Sequence, residues 1–349
     1  MKIAIHQNKD IFDHSTTWDK VWIEYCKEEK IDYEVVDCFS NNILEKIKDF
    51  DVLLWHFNHF SLQEMKFARS ILLSIKKIGI KVFPDHEANW HFDDKIAQSY
   101  ILQAINAPIP KAWTFYKLKS AVDFYENSCV YPIVAKLKSG SGSNNVQLLK
   151  NKGEAIKYAK KMFGKGLNPT PNLLFKTKSN VQTSRNIKNF VARAKRIPDF
   201  IESIKKAAEF DNEKGYVYLQ EFIPNKGYDL KVVVVKNKLS FLARDVRKGD
   251  FRASGGGSIS YDKSLITPEI REIAFQISGE LGFECMGYDF VVDSRTNSPK
   301  IVEISYGFSH LAQMDLGGHW DRSGEWHNEP LNAPEEIIKN MLVENESNV

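Results

Sequence analysis

Apolar and polar positions follow two different periods along this 349-residue chain. Up to residue 112, short apolar runs read IAIH (3–6), YEVVDC (33–38), VLLWHF (52–57) and IKVFP (80–84). Between them, near 17–29, 41–48 and 62–77, apolar residues recur every three or four positions. Runs this short suit buried strands, and the longer period suits amphipathic helices. Their alternation predicts an open, largely parallel α/β sheet. A further helix near 93–105 ends before the Pro108–Pro110 pair. No G-x-G-x-x-G follows the first run, which argues against a dinucleotide site there.

From Trp113 the pattern becomes α+β. Apolar runs at 131–136 and 146–149 flank the small-residue stretch SGSGSNN (139–145) and read as a hairpin, followed by a helix near 153–162. Ile187, Phe190, Val191, Ala194, Ile197, Ile201, Ile204 and Ala208 are spaced as one helical face, which Pro198 should kink or split. Strands follow at 216–223, 231–236 and 239–245, then a glycine loop at 254–258 and a helix near 268–281. Two last strands, 286–293 and 300–305, carry acids within apolar runs. The division this suggests is 1–112, 113–223 with a basic helical insert near 165–212, and 224–349.

Composition narrows the class. Hydrophobic residues at 43% and charged residues at 27% are ordinary for a globular protein, and no apolar stretch approaches the roughly 20 residues of a membrane helix. MKIAIHQ reads as a first strand and not as a signal peptide. Cys26, Cys38, Cys129 and Cys285 lack metal or disulfide spacing, which suits a reducing cytoplasm. The net charge of +3 conceals a local excess: 150–214 holds 16 basic against 6 acidic residues. A solvated basic helix is the plainest account of that segment. Its apolar stripe, with no series of base-stacking aromatics, places it on an acceptor side or in an oligomer interface such as a homodimer's, and not on nucleic acid.

Four stretches carry candidate chemistry. Lys136 ends an apolar run just before the loop Ser139, Gly140, Ser141, Gly142, whose amides could fold over phosphate oxygens while the lysine supplies a point charge. Glycine–serine loops are also commonly just turns. In YLQEFIPNKGYDLKVVVV (218–235) a strand ends at Gln220–Glu221, bends, and resumes after Asp229, as a hinge facing an adenine and a ribose would. A plain hairpin reads the same way. Asp289 in GYDFVVD and Glu303 in IVEIS interrupt apolar runs on neighbouring strands. Two buried carboxylates repel unless a cation sits between them, and magnesium is held by one or two carboxylates plus phosphate oxygens. RDVRKGDFRASGGGS (244–258) sets Arg244, Arg247, Lys248 and Arg252 beside a glycine triplet, where they could neutralise phosphate or developing oxyanion charge or simply face water.

In this order the four stretches resemble the ATP-grasp superfamily, specifically its carboxylate–amine ligases, over most of the chain. The resemblance implies an N-terminal pre-ATP-grasp domain followed by a two-lobed ATP-grasp domain. It makes Lys95 and Lys136 the phosphate lysines, with the loop closing over the β- and γ-phosphates of ATP. Gln220, Glu221, Phe222 and Ile223 become the adenine hinge, and Asp229 the acid after it. Asp289 and Glu303 become the Mg2+ carboxylates, with Mn2+ as a substitute metal. Lys231 sits where relatives carry a basic residue, and GDFRASGGG is similar to the loop of ligases that add glutamate to a protein tail. Arg247 or Arg252 would then face the acyl oxygens. The family's E-x-N reads Glu303-Ile304-Ser305 here, so Ser305 would stand as a weaker metal ligand.

The implied reaction activates a carboxylate as an acyl phosphate, which an amine attacks to give an amide, ADP and phosphate. The tail at 305–330 is rich in aromatic and histidine residues, and its W-D-x-x-x-x-W-H pattern resembles ATP-grasp proteins of bacterial surface polysaccharide synthesis. That points to a sugar acid or amino sugar as substrate. A zinc site from His310, His319 and His327 has no tight spacing to support it. A nucleotide-binding regulator without turnover, or a phosphotransferase on the same scaffold, are the alternative activities.

Overall fold

The computed structural model describes the chain except for residues 8–17, 60, 141–144, 170–210, 247–251, 253–257 and 347–349. It divides into two compact units. The larger joins Met1–Phe92, Ile101–Pro108 and Pro224–Val349, and the smaller comprises Asp93–Tyr100 and Ile109–Ile223.

The larger unit begins with the expected parallel sheet. Strands β1 (Lys2–His6), β2 (Asp32–Val36), β3 (Val52–Leu54) and β4 (Lys81–Phe83) lie in the order β2-β1-β3-β4, every pair parallel. Helices α1 (Asp19–Glu28), α2 (Ile43–Lys46) and α3 (Leu62–Lys77) lie between them, and α4 (His86–Asn89) follows β4. Helix α3 begins where its sequence says, because the Ser61 side chain accepts the Glu64 amide at 3.3 Å. It buries Ala68, Leu72 and Ile75 on one face. The run 52–57 leaves the sheet after Leu54, and Trp55, His56 and Phe57 enter an aromatic core instead.

The smaller unit takes in the start of α5 (Lys95–Ala104), then β5 (Ala112–Phe115), α6 (Leu118–Asn127), β6 (Ile133–Lys136), β7 (Val146–Leu149), α7 (Lys152–Met162) and β8 (Val217–Glu221). Its four strands run in the order β5-β8-β6-β7, all antiparallel, and the predicted hairpin is β6–β7. Ile133, Ala135, Tyr158, Met162, Val217 and Leu219 fill its core. Most of the basic insert, including the helical face from Ile187 to Ala208, lies outside the described residues.

A seven-stranded antiparallel sheet completes the larger unit: β9 (Tyr228–Val235), β10 (Lys238–Asp245), β11 (Ile259–Ser260), β12 (Cys285–Val292), β13 (Pro299–Ser305), β14 (His319–Asp321) and β15 (Trp326–His327). The order is β13-β12-β9-β10-β14-β15, with β11 on β10. Helix α8 (Pro268–Glu280), capped by Thr267, packs on β9 and β12; α9 (His310–Met314) packs on β10, and α10 (Ala333–Glu346) on β9.

The sequence division into 1–112 and 224–349 is therefore not the division of contacts. Tyr306, just past β13, donates its hydroxyl to Phe57 O at 2.6 Å, and Trp22 of α1 donates to Pro334 O at 2.8 Å. Trp18 lies 5.6 Å from Phe83 and 5.3 Å from Phe308, ring to ring. Faces that each segment would expose alone are buried jointly, so the two segments share one core.

Candidate functional site

Side chains alternate across a sheet, so residues in register share a face. Arg244 pairs with Asp229, and Asp289 pairs with both Lys231 and Glu303. Five charged residues from four adjacent strands thus gather on one face of the large sheet. The intervening residues Leu230, Val232, Tyr288, Phe290 and Ile304 point the other way and are buried. Arg244 grips Asp229 with two bonds, Nε at 2.7 Å and Nη2 at 3.0 Å, and its Nη2 also reaches Asp289 Oδ1 at 3.2 Å. Lys231 Nζ sits 2.7 Å from the same Asp289 oxygen. A Cβ at Gly287 would come 2.9 Å from Ser305 O, so a glycine there lets β12 and β13 approach beside the charged face.

Electrostatics follow from this crowding. Burial pushes the Asp289 carboxyl up, but Lys231 and Arg244 more than offset it and hold it below its ordinary value. Asp229 is pushed up to about 6 by burial, against the pull of Arg244 and with the repulsion of Asp289 added. Burial opposes the Arg244 charge, yet Asp289 and Asp229 raise its pKa above the usual arginine value.

The donor set suits a hard divalent ion: buried Asp289 faces half-buried Glu303 across the β12–β13 pair, with oxygen ligands only. Ser305 lies on the same face, but its hydroxyl accepts from Gly307 N and donates to Gly307 O, both at 3.1 Å. It serves its own turn.

In the smaller unit, Lys95 opens α5 and Lys136 ends β6, and both are buried, at 4% and 6% exposure. Lys95 Nζ donates to Gly140 O at 2.6 Å, which joins the first lysine to the small-residue loop. The root of that loop is pinned by carboxylates that sequence reasoning missed. Gly140 N donates to Asp93 at 2.8 Å, and the Lys138 and Ser139 amides donate to Glu213 at 2.9 and 3.1 Å. The hydroxyls of Ser139 and Tyr216 donate to Glu213 as well. The available signal was a carboxylate three residues before a tyrosine at the strand that resumes after the insert. Gln220, buried, donates to Tyr218 Oη at 2.7 Å; Glu221 N donates to Lys111 O at 2.8 Å, and Ile223 is buried at the strand's exit beside Phe222.

The structure brings Lys95 together with Gly140, and Lys231 together with Asp229 and Asp289. Asp229, expected at the ribose, is here held by Arg244 on the face that carries Asp289. Ser141, Gly142 and Arg247 lie outside the described residues, and Arg252 is half-buried between undescribed stretches. The three tail histidines do not converge. His319 and His327 stack at 5.1 Å, whereas His310 lies in the aromatic core, 6.4 Å from Trp18. Ligand-capable atoms of Asp321, Glu325 and His327 do cluster within 4.8 Å, but the His327 ring is bonded to Asp321 at 2.9 Å in an exposed hairpin turn.

A family model for the RimK-like ATP-grasp domain matches residues 175–312. The solved D-alanine–D-alanine ligase of Bacillus anthracis superposes with a TM-score of 0.58 at 13% identity, covering 100% of both chains. The chain has the ATP-grasp fold. Among curated relatives, the alpha-aminoadipate–LysW ligase LysX of Saccharolobus solfataricus is 22% identical over 76% of this chain and 80% of its own length. The tetrahydromethanopterin:alpha-L-glutamate ligase of Methanosarcina acetivorans is 25% identical over 68% of this chain and 62% of its own. Among the described residues, no helix is long and apolar enough to cross a membrane.

Proposed function

We propose that this chain is an ATP- and magnesium-dependent carboxylate–amine ligase that forms its amide through an acyl phosphate. The observation that carries the reading is the in-register pair Asp289–Glu303, with Lys231 beside it on the same sheet face. Such a face can hold a dication and still offer a fixed cation to phosphate. The bound metal would supply charge neutralisation at the phosphate oxygens. Lys95 and Lys136 hold phosphates, and the loop rooted on Asp93 and Glu213 covers them. Gln220 to Ile223 receive the adenine. Lys231, which lies 2.7 Å from Asp289, offers its charge to the transferring phosphoryl group. The γ-phosphoryl group passes to the carboxylate, ADP leaves, and the amine displaces phosphate from the acyl carbon. No enzyme nucleophile is needed, because catalysis of this kind is positioning and charge stabilisation.

Each of the two relatives names an acidic α-amino acid among its substrates, and we assign the amine to that class. A sugar acid of a surface polysaccharide is the second reading. The stacking faces it would use are engaged: Lys263 Nζ lies 3.2 Å over the Trp326 ring, and Trp320 meets Trp326 at 4.6 Å. We place the reaction in the reducing cytoplasm, in keeping with four free cysteines. A matrix of acids and amines with ATP and magnesium, read by ADP release and product mass, tests the assignment. Hydroxylamine should trap an acyl hydroxamate. A stable phosphate ester instead would make the protein a phosphotransferase, and nucleotide binding with no ADP release in any combination would make it a regulator.

A further inference from the structure

Both cations of the sheet face sit on one oxygen of Asp289, Lys231 Nζ at 2.7 Å and Arg244 Nη2 at 3.2 Å. A dication bound at that oxygen would meet two positive charges at close range in a partly desolvated setting. Asp289 is 8% exposed, and a buried carboxylate left without a partner is strongly unfavourable. The two cations are therefore required when no metal is present and obstructive when one arrives.

Resting on the metal-site reading above, we propose that Lys231 and Arg244 are resident counter-cations of that site. They neutralise Asp289 in the nucleotide-free protein and yield it only when nucleotide phosphates offer them replacement anions. Divalent cation and nucleotide then bind interdependently.

Each cation is built to let go. Arg244 keeps its two bonds to Asp229, so losing Asp289 leaves it anchored. Lys231 holds Asp289 by a single 2.7 Å contact from a flexible four-carbon stem, which can turn to another anion. Among the described residues of the paired strands the face carries three carboxylates, Asp229, Asp289 and Glu303, against two cations, and this net charge of −1 attracts a lone dication only weakly. Phosphates change that balance, since both side chains then exchange one oxyanion for another. Linkage requires the coupling to be reciprocal: metal tightens nucleotide by the factor by which nucleotide tightens metal.

The test is Mn2+ titration of the full chain by electron paramagnetic resonance, with and without a non-hydrolysable ATP analogue. The nucleotide-free wild type should bind Mn2+ weakly and tighten at least tenfold with the analogue. Arg244→Gln should bind Mn2+ at least tenfold more tightly than wild type without nucleotide, and lose most of the nucleotide effect. Lys231→Gln, which leaves the Arg244–Asp229 clamp intact, should shift the same way and serves if Arg244→Gln does not fold. Asp289→Asn should lose Mn2+ binding throughout. Unchanged or weaker Mn2+ binding in both cation variants, with Asp289→Asn still inactive in binding, overturns the counter-cation role and leaves the metal carboxylates standing. Wild-type Mn2+ binding by Asp289→Asn removes the metal site itself.

Discussion

Acidification should loosen the larger unit, by an amount that three buried histidines set. His56, stacked at 4.2 Å on Trp18, is pushed down to about 3 by burial, with His310 and His59 adding to the effect. Burial lowers His310 to about 4, and it lowers His91 to about 4 despite two backbone hydrogen bonds that oppose it. In the unfolded chain all three titrate near ~6.5. The fold binds fewer protons than the unfolded chain between these values, so stability is complete above ~6.5 and is lost as pH falls towards 4. Asp229 works in the opposite direction. Its folded value of about 6 exceeds the carboxylate's ordinary 3.8, so ionisation above that range disfavours the fold, and acid relieves this. Each histidine costs about 1.6 kcal/mol between pH 6.5 and 5, and Asp229 returns about 1.2, which leaves a net loss of roughly 3–4 kcal/mol. That is a large share of a typical total of about 5–15 kcal/mol. Urea unfolding of the metal-free protein, followed by tryptophan fluorescence, reads the right unit because Trp18, Trp22 and Trp55 are all fully buried in it. His310→Gln should remove about a third of the histidine effect. A urea midpoint that stays level or rises between pH 6.5 and 5 would refute the reasoning.

Glu303→Gln should keep the fold by circular dichroism and lower metal-dependent ADP release by about 10²-fold, the scale of losing one preorganised electrostatic partner. Lys136→Ala should weaken ATP roughly 10- to 100-fold in calorimetry, since a charged hydrogen bond contributes about 1.5–3 kcal/mol. Because Lys136 is buried rather than on an exposed loop, its thermal midpoint should be checked beside the affinity. Ser305→Asn, although it restores the family's usual residue, should bring no gain in Mn2+ affinity and cost about 1 kcal/mol in urea, because the serine hydroxyl holds the Gly307 turn.

The strands and their acids were legible because a polar residue inside an apolar run stands out, as Asp289 does in GYDFVVD. The hairpins β6–β7 and β12–β13 were legible too, since neighbours in sequence pair locally. Lys95 and Lys136 could be placed at an element's edge, but not the carboxylates that root the loop. Glu213 lies 75 positions from Lys138, and no local pattern announces a bond of that span. Arg244 looked like one of four equivalent cations, and only the register of β10 on β9 sets it against Asp229. The tail's aromatic residues pointed to a sugar, yet Trp320 is 6% exposed and packs within the hairpin. Periodicity shows that a side chain is apolar, not which neighbour will cover it.

The hydrogen bond from Trp22 to Pro334 spans 312 positions. A ribosome reading this chain therefore completes the first sheet's aromatic face only after the much later residues 304–338 have been made. Until residues 304–338 emerge, Trp18, Trp22, Phe57 and Phe83 lack the Tyr306, Phe308 and Pro334 partners that cover them. The smaller unit, drawn mainly from the continuous stretch Ile109–Ile223, can close first. A released fragment ending near residue 223 should then show one protease-resistant core and one exposed aromatic sheet, a natural client for a chaperone.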